Sequence, residues 1–159
     1  MMPESDFGKA ILAGAGFCIF LALAGGLLTQ LTPWYRALRQ PSWKPPDWAF
    51  GPIWTLVFIC LTFAIAYAWE ASTLSQRTAM VWALCLNGIL NMAWSFLFFI
   101  MKSPNFALAE LVVFWFSIVL LILVFGNASR MSAALLLPYI TWVTVAGVLN
   151  FKIVRLNRS

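Results

Sequence analysis

The chain has 159 residues, 63% of them hydrophobic and 9% charged, with a formal net charge of +5 and no histidine. Ordinary soluble domains carry roughly 25% charged residues, so a water-soluble globule is excluded and lipid is the expected solvent. The excess positive charge forms no basic run, so nucleic acid is not an expected partner.

Apolar runs of about 20 residues, enough to cross about 30 Å of hydrocarbon, are predicted as helices over Ala10–Gln30, Phe50–Trp69, Thr78–Met101, Asn105–Phe125 and Ser132–Phe151. After the first loop the connectors are short, which makes successive helices antiparallel neighbours. The expected fold class is therefore an all-α integral membrane protein. It is one domain spanning residues 1–159, a bundle of five transmembrane helices with a long Trp/Pro-rich loop between helices 1 and 2.

The first span repeats a small residue at every fourth position, Ala10, Gly14, Cys18, Ala22 and Gly26. On a helix these make one low stripe that lets another backbone approach closely, either within the chain or across a dimer seam. Ala22-Leu23-Ala24 mimics a leader cleavage site, but the hydrophobic run continues past it to Leu31 and no positive cluster precedes it, so a retained span is expected. The loop that follows reads PWYRALRQPSWKPPDWAFGPIW and holds four of the nine tryptophans and five of the eight prolines. Pro41, Pro45 and Pro46 each lack an amide donor and restrict the preceding residue, so the middle of the loop is extended and stiff. Indoles favour the water–lipid boundary, and a rigid aromatic connector over a bundle mouth suits a lid for a flat apolar ligand.

The second span opens with Trp54 and Thr55. Ala79 and Ala83 on the third span form a weaker candidate seam. The same span carries Asn87 and Asn91 on one face, continued by Trp94, Ser95 and Phe98. Carboxamides are costly in hydrocarbon unless hydrogen-bonded, so this face should look inward, either as a clamp between helices or as a polar patch in a cavity. Glu110 is the one acid deep in a span; snorkelling or pairing with Lys102 is its expected fate, and it stays outside the candidate site. The fifth span sets Pro138, Trp142, Ala146 and Asn150 four apart, with a kink expected near Pro138.

Lys9, Arg77 and Arg130 fall on one side of this topology, and Arg36, Arg39, Lys44, Lys102, Lys152, Arg155 and Arg158 on the other. The positive-inside rule then places the aromatic loop and C-terminus in the cytoplasm; the rule loses its force in an outer membrane, and the sequence does not choose between a bacterium's inner and outer membranes. Cys18, Cys60 and Cys85 lie mid-span without metal-ligand spacing, so no metal site is expected. Without histidine, paired carboxylates or a phosphate-binding glycine loop, an acid–base active site is not expected either. No catalytic residue is assigned.

Three blocks carry a resemblance over essentially the whole chain. They are Trp34-Tyr35 through Pro41, Trp43, Pro45-Pro46 and Trp48 to Pro52 and Trp54; then Asn87, Asn91, Trp94 and Ser95; then Pro138-Tyr139, Trp142, Ala146 and Leu149-Asn150. In these the chain resembles the TspO/MBR family, which comprises bacterial tryptophan-rich sensory proteins and the mitochondrial translocator protein, or peripheral-type benzodiazepine receptor. Its short tails are similar to those of bacterial members. The resemblance implies a homodimeric five-helix bundle that binds porphyrins, other haem-type tetrapyrroles, sterols and isoquinoline- or benzodiazepine-type drugs, with no obligatory cofactor. It implies a pocket lined by Tyr35, Phe50, Trp54, Asn87, Asn91, Trp94, Trp142 and Ala146, with Trp34, Trp43 and Trp48 in the lid. Tetrapyrrole-dependent stress sensing is the implied role; light-dependent porphyrin degradation and porphyrin or sterol transport are the alternatives. The animal members' sterol motif places a tyrosine where this chain has Phe151, so sterol binding is expected to be poor.

Overall fold

The structure, a computed structural model, describes residues 6–158. Helix α1 covers Asp6–Leu28, a short α2 covers Pro33–Ala37, and a 3-10 turn at Asp47–Ala49 leads into α3, Phe50–Glu70. Helix α4 runs Leu74–Ser95 and continues as a π-helical turn, Phe96–Ile100; α5 covers Pro104–Gly126, α6 Arg130–Leu135 and α7 Leu137–Leu156. The chain thus forms five apolar helical segments long enough to cross a membrane, the fifth being α6 and α7 together. No strand occurs among the described residues.

Local chemistry sets these boundaries. Thr73 and Gln76 form a reciprocal capping box that opens α4, and the Ser129 hydroxyl accepts from the Ser132 amide to open α6. Pro33, Pro104 and Pro138 each sit in the first turn of a helix, where a missing amide hydrogen costs little. Pro138 has no N–H to offer the Ala134 carbonyl, so the fifth span breaks at Leu136 into α6 and α7, as the sequence expectation of a kink required. The wide turn after Ser95 inserts a register shift that turns both Phe98 and Phe99 inward, although they are adjacent in sequence. Lys102, at φ 52°, makes the tight reversal into α5.

The main core joins Leu21, Leu61, Met80, Phe114, Ile118, Leu121, Phe125, Tyr139 and Val143. Helices approach closely where a side chain is missing: a Cβ on Gly14 would stand 3.4 Å from Ile65 of α3, and one on Gly147 only 2.9 Å from Cδ2 of Leu111 of α5. The outward faces carry exposed Leu12, Leu27, Trp82, Phe106 and Phe116, apolar surface that a bilayer covers. One end is stapled by Arg77, whose guanidinium donates to Asp6 at 3.0 Å and stacks over Trp69 at 4.8 Å.

Candidate functional site

The Trp/Pro loop is a strap rather than a free coil. The Thr32 hydroxyl caps α2, and this holds Tyr35 with its ring buried against Phe98 and Phe99, 6.5 and 5.5 Å between centroids. The Tyr35 hydroxyl donates to Asp47 Oδ1 at 3.0 Å, and the Lys44 ammonium donates to the same oxygen. Lys44 also lies over the Tyr35 and Phe50 rings, 5.5 and 5.9 Å from their centroids. Burial pushes the Tyr35 phenol above its usual range. Burial works against the Lys44 charge, but its hydrogen bonds with Asp47 and Tyr35 prevail and hold the ammonium above its ordinary value. Farther back, Asn157 at the end of α7 grips the Arg39 backbone twice, accepting from its N–H at 2.9 Å and donating to its carbonyl at 2.9 Å.

Beneath the strap, aromatic rings from several helices converge. Phe50, at the start of α3, meets Trp142 of α7 edge-on at 5.4 Å. Trp54 lies 5.4 Å from Phe58 and 6.0 Å from Tyr139. Trp94 stacks on Phe98 at 5.3 Å and 26°. Deeper still is a polar knot. Asn87 Nδ2 donates to Ser117 Oγ at 2.8 Å, the Tyr139 hydroxyl donates to Asn87 Oδ1 at 2.9 Å, and Asn91 Nδ2 donates to that hydroxyl at 3.2 Å. The two amides therefore serve as an interhelical clamp joining α4, α5 and α7. Asn150, fully buried, clamps as well: with its nitrogen toward the Pro104 carbonyl (3.2 Å), its oxygen meets the Leu108 amide (3.1 Å) at the start of α5. One donor in this region is unsatisfied. The Trp142 indole N–H is buried and has no hydrogen-bond partner among the described residues.

Of the residues singled out from sequence, Tyr35, Phe50, Trp54, Asn87, Asn91, Trp94 and Trp142 come together under the strap, with Ala146 half-buried on the same helix as Trp142. Trp34 joins from the strap, edge-on to Phe98 at 6.1 Å. Trp43 and Trp48 do not join: they are 46% and 76% exposed, facing the surroundings. The small-residue stripe is split. Ala10, Gly14 and Cys18 are buried within the chain, whereas Ala22 and Gly26 are exposed; on α4, Ala83 is buried and Ala79 exposed. Cys18 and Ala22 also line an outward groove of about 310 Å³ between α1 and α3. Sequence reasoning missed Ser117 and Asn157 and underrated Tyr139. A lone hydroxyl or amide on an otherwise apolar or terminal turn gives no periodic signal.

Comparison with known proteins bears on this arrangement. The TspO/MBR family profile matches residues 14–156, from α1 through the end of α7. The chain belongs to the TspO/MBR family. A Tryptophan-rich protein TspO from Chlorobaculum tepidum is 37% identical over 148 residues, covering 89% of this chain and 92% of that relative. Another from Archaeoglobus fulgidus is 32% identical, covering 86% and 90%. The Translocator protein of Bos taurus is 30% identical, covering 86% and 85%. As a TspO/MBR chain with five apolar spans, this is an integral membrane protein. The family match includes the strap and every helix that contributes a ring or an amide to the convergent cluster.

Proposed function

We propose that this TspO/MBR protein binds tetrapyrroles, and comparable flat apolar drugs, between Trp54, Trp94 and Trp142 beneath the strap. The observation that carries the reading is the buried, unpartnered Trp142 N–H beside the edge of Phe50. An orphaned buried donor costs about 1–3 kcal/mol, and a ligand carbonyl or ring nitrogen arriving there recovers it. Aromatic contacts add about 0.5–1.5 kcal/mol each beyond their buried area. Entry requires the strap to lift: the Asn157–Arg39 pair ties it to the end of α7, while the Tyr35–Asp47–Lys44 cluster braces the strap within itself. Once it lifts, exposed Arg36 and Arg39 are at hand for propionate groups near the mouth. No protein acid–base group is assigned to chemistry on the ligand, so the role is binding linked to tetrapyrrole-dependent sensing or regulation.

Two copies associate in this reading through the small residues left facing outward, Ala22 and Gly26 on α1 or Ala79 on α4. The strap and C-terminus face the cytoplasm, on the side holding seven of the ten basic residues. Protoporphyrin IX titrated into detergent-purified protein is expected to quench tryptophan fluorescence saturably. A Trp54→Ala, Trp142→Ala double variant should lose at least about tenfold in affinity; unchanged affinity in that variant removes the pocket.

A further inference from the structure

Helix α5 carries one acid, and the helix turns it inward. Glu110, Phe114, Ser117 and Leu121 recur at spacings of four, three and four, which is one helix face, and the last three are buried. Both Glu110 carboxyl oxygens are sealed from solvent without a hydrogen-bond partner among the described residues. The Asn87–Ser117 bond sets the antiparallel register of α4 on α5, and seven residues farther along each helix Glu110 stands opposite Trp94. That level is two turns nearer the strap than the amide knot. The neighbouring elements present few ionisable groups. From α4 come Arg77 and Cys85, from α3 Cys60, Tyr67 and Glu70, from α6 Arg130, from α7 Tyr139, Lys152 and Arg155, and from the π-helical turn none. Arg77 is engaged with Asp6, and Cys85, Tyr67, Glu70, Arg130, Lys152 and Arg155 are exposed. Among these groups only Tyr139 is both buried and an electrostatic neighbour of Glu110.

An isolated carboxylate in such a place costs several kcal/mol, which favours the carboxylic acid, with an unused O–H and an unused acceptor. We infer that Glu110 is a subsite for a positively charged nitrogen on a flat aromatic ligand held in the proposed pocket. The inference rests on that pocket and adds a ligand class to it, aromatic rings bearing a basic nitrogen. Binding is a proton exchange: the carboxylic acid gives its proton to bulk water, and the resulting carboxylate accepts the N–H of the incoming cation. Charge in the bundle stays zero, and one proton leaves for each cation taken up.

The test uses two three-ring probes of similar size, 9-aminoacridine, a cation at neutral pH, and neutral 1-aminoanthracene. Both are titrated at about pH 6 into the detergent-purified full chain in weak buffer with a pH-indicating dye. The native protein is expected to favour the cation by at least about tenfold and to release about one proton per cation bound, and none with the neutral probe. Glu110→Gln is expected to lose at least about tenfold for the cation and its proton release, with the neutral probe and the melting temperature unchanged. A Glu110→Gln variant that binds the cation within about twofold of native overturns the assignment, as does equal weakening for both probes. If that variant does not fold, the proton count on the native protein decides: no release overturns it. Trp142→Phe separates this from the pocket itself. If the neutral probe depends on Trp142 but native protein shows no preference for the cation, the pocket stands and the subsite falls. If neither probe depends on Trp142, both fall.

Discussion

Replacing Tyr139 by Phe removes one oxygen atom from the centre of the polar knot and leaves the packing alone. The ring keeps its edge contacts with Trp54 and Phe114, each at 6.0 Å. The lost hydroxyl breaks two bonds, to Asn87 Oδ1 at 2.9 Å and from Asn91 Nδ2 at 3.2 Å, at a residue 1% exposed. Interhelical hydrogen bonds in membrane proteins average ~0.6 kcal/mol and reach ~1.7, while stranding a buried polar group costs about 1–3 kcal/mol. Two amide groups are stranded here, although Asn87 keeps its 2.8 Å bond to Ser117. The expected loss is therefore about 1–3 kcal/mol, read as a shift of the unfolding midpoint when sodium dodecyl sulfate is titrated into the protein in mild-detergent micelles. A double-mutant cycle with Asn87→Ala should return a coupling of about 0.5 kcal/mol or more. A loss below about 0.3 kcal/mol with no coupling refutes the claim that this knot clamps α4, α5 and α7.

Four further outcomes follow from the same geometry. Gly147→Ala places a methyl 2.9 Å from Cδ2 of Leu111, and the flexible Leu111 tip should limit the cost to about 1 kcal/mol in the same unfolding assay, with Leu111→Ala relieving it. Asn157→Ala cuts both links to Arg39 and should make the strap lift more often, raising acrylamide quenching of the loop tryptophans and the protoporphyrin on-rate without lowering global stability by more than about 1 kcal/mol. Asp47→Ala, removing the acceptor shared by Lys44 and Tyr35, should loosen the strap in the same quenching assay while costing only about 0–1 kcal/mol, because the Lys44–Asp47 pair is partly exposed. For pH, Lys44 and Tyr35 both titrate above their ordinary values of 10.5 and 10.0 when folded. Their stabilising effect is therefore complete at neutral pH and is lost as pH rises through those raised values. Tryptophan fluorescence of the strap should stay flat from about pH 7 to 9 and change only above about pH 10, and a transition below pH 9 would contradict the role of these two groups in bracing the strap.

The architecture was legible because lipid imposes strong rules. Long apolar runs separated by short polar links leave little choice beyond a helical bundle, and Pro33, Pro104 and Pro138 mark helix starts by their missing donors. The inward placement of Asn87 and Asn91 was equally legible, since carboxamides in hydrocarbon must find partners. Their partners were not: Ser117 and Tyr139 lie 30 and 52 residues from Asn87, and nothing local signals such a pairing. The strap tryptophans show a different limit. Composition marks Trp34, Trp43 and Trp48 alike, yet of the three Trp34 turns to the bundle, held by α2, whereas Trp43 in the turn after Pro41 and Trp48 on the 3-10 turn both face outward. The register shift that buries both Phe98 and Phe99 breaks the period on which face assignments depend. Glu110 shows the same limit: a lone acid near a helix end normally reaches the surface, and only its packed surroundings reveal that its carboxyl oxygens do not.

Difference density from crystals grown with and without protoporphyrin IX measures the central claim most directly. The account predicts a planar ligand between the Trp54, Trp94 and Trp142 rings, with an acceptor within hydrogen-bond reach of the Trp142 indole and the strap moved away from Asn157. Density confined to the outer grooves, between α1 and α3 or between α5 and α7, with the inner rings undisturbed, would contradict it.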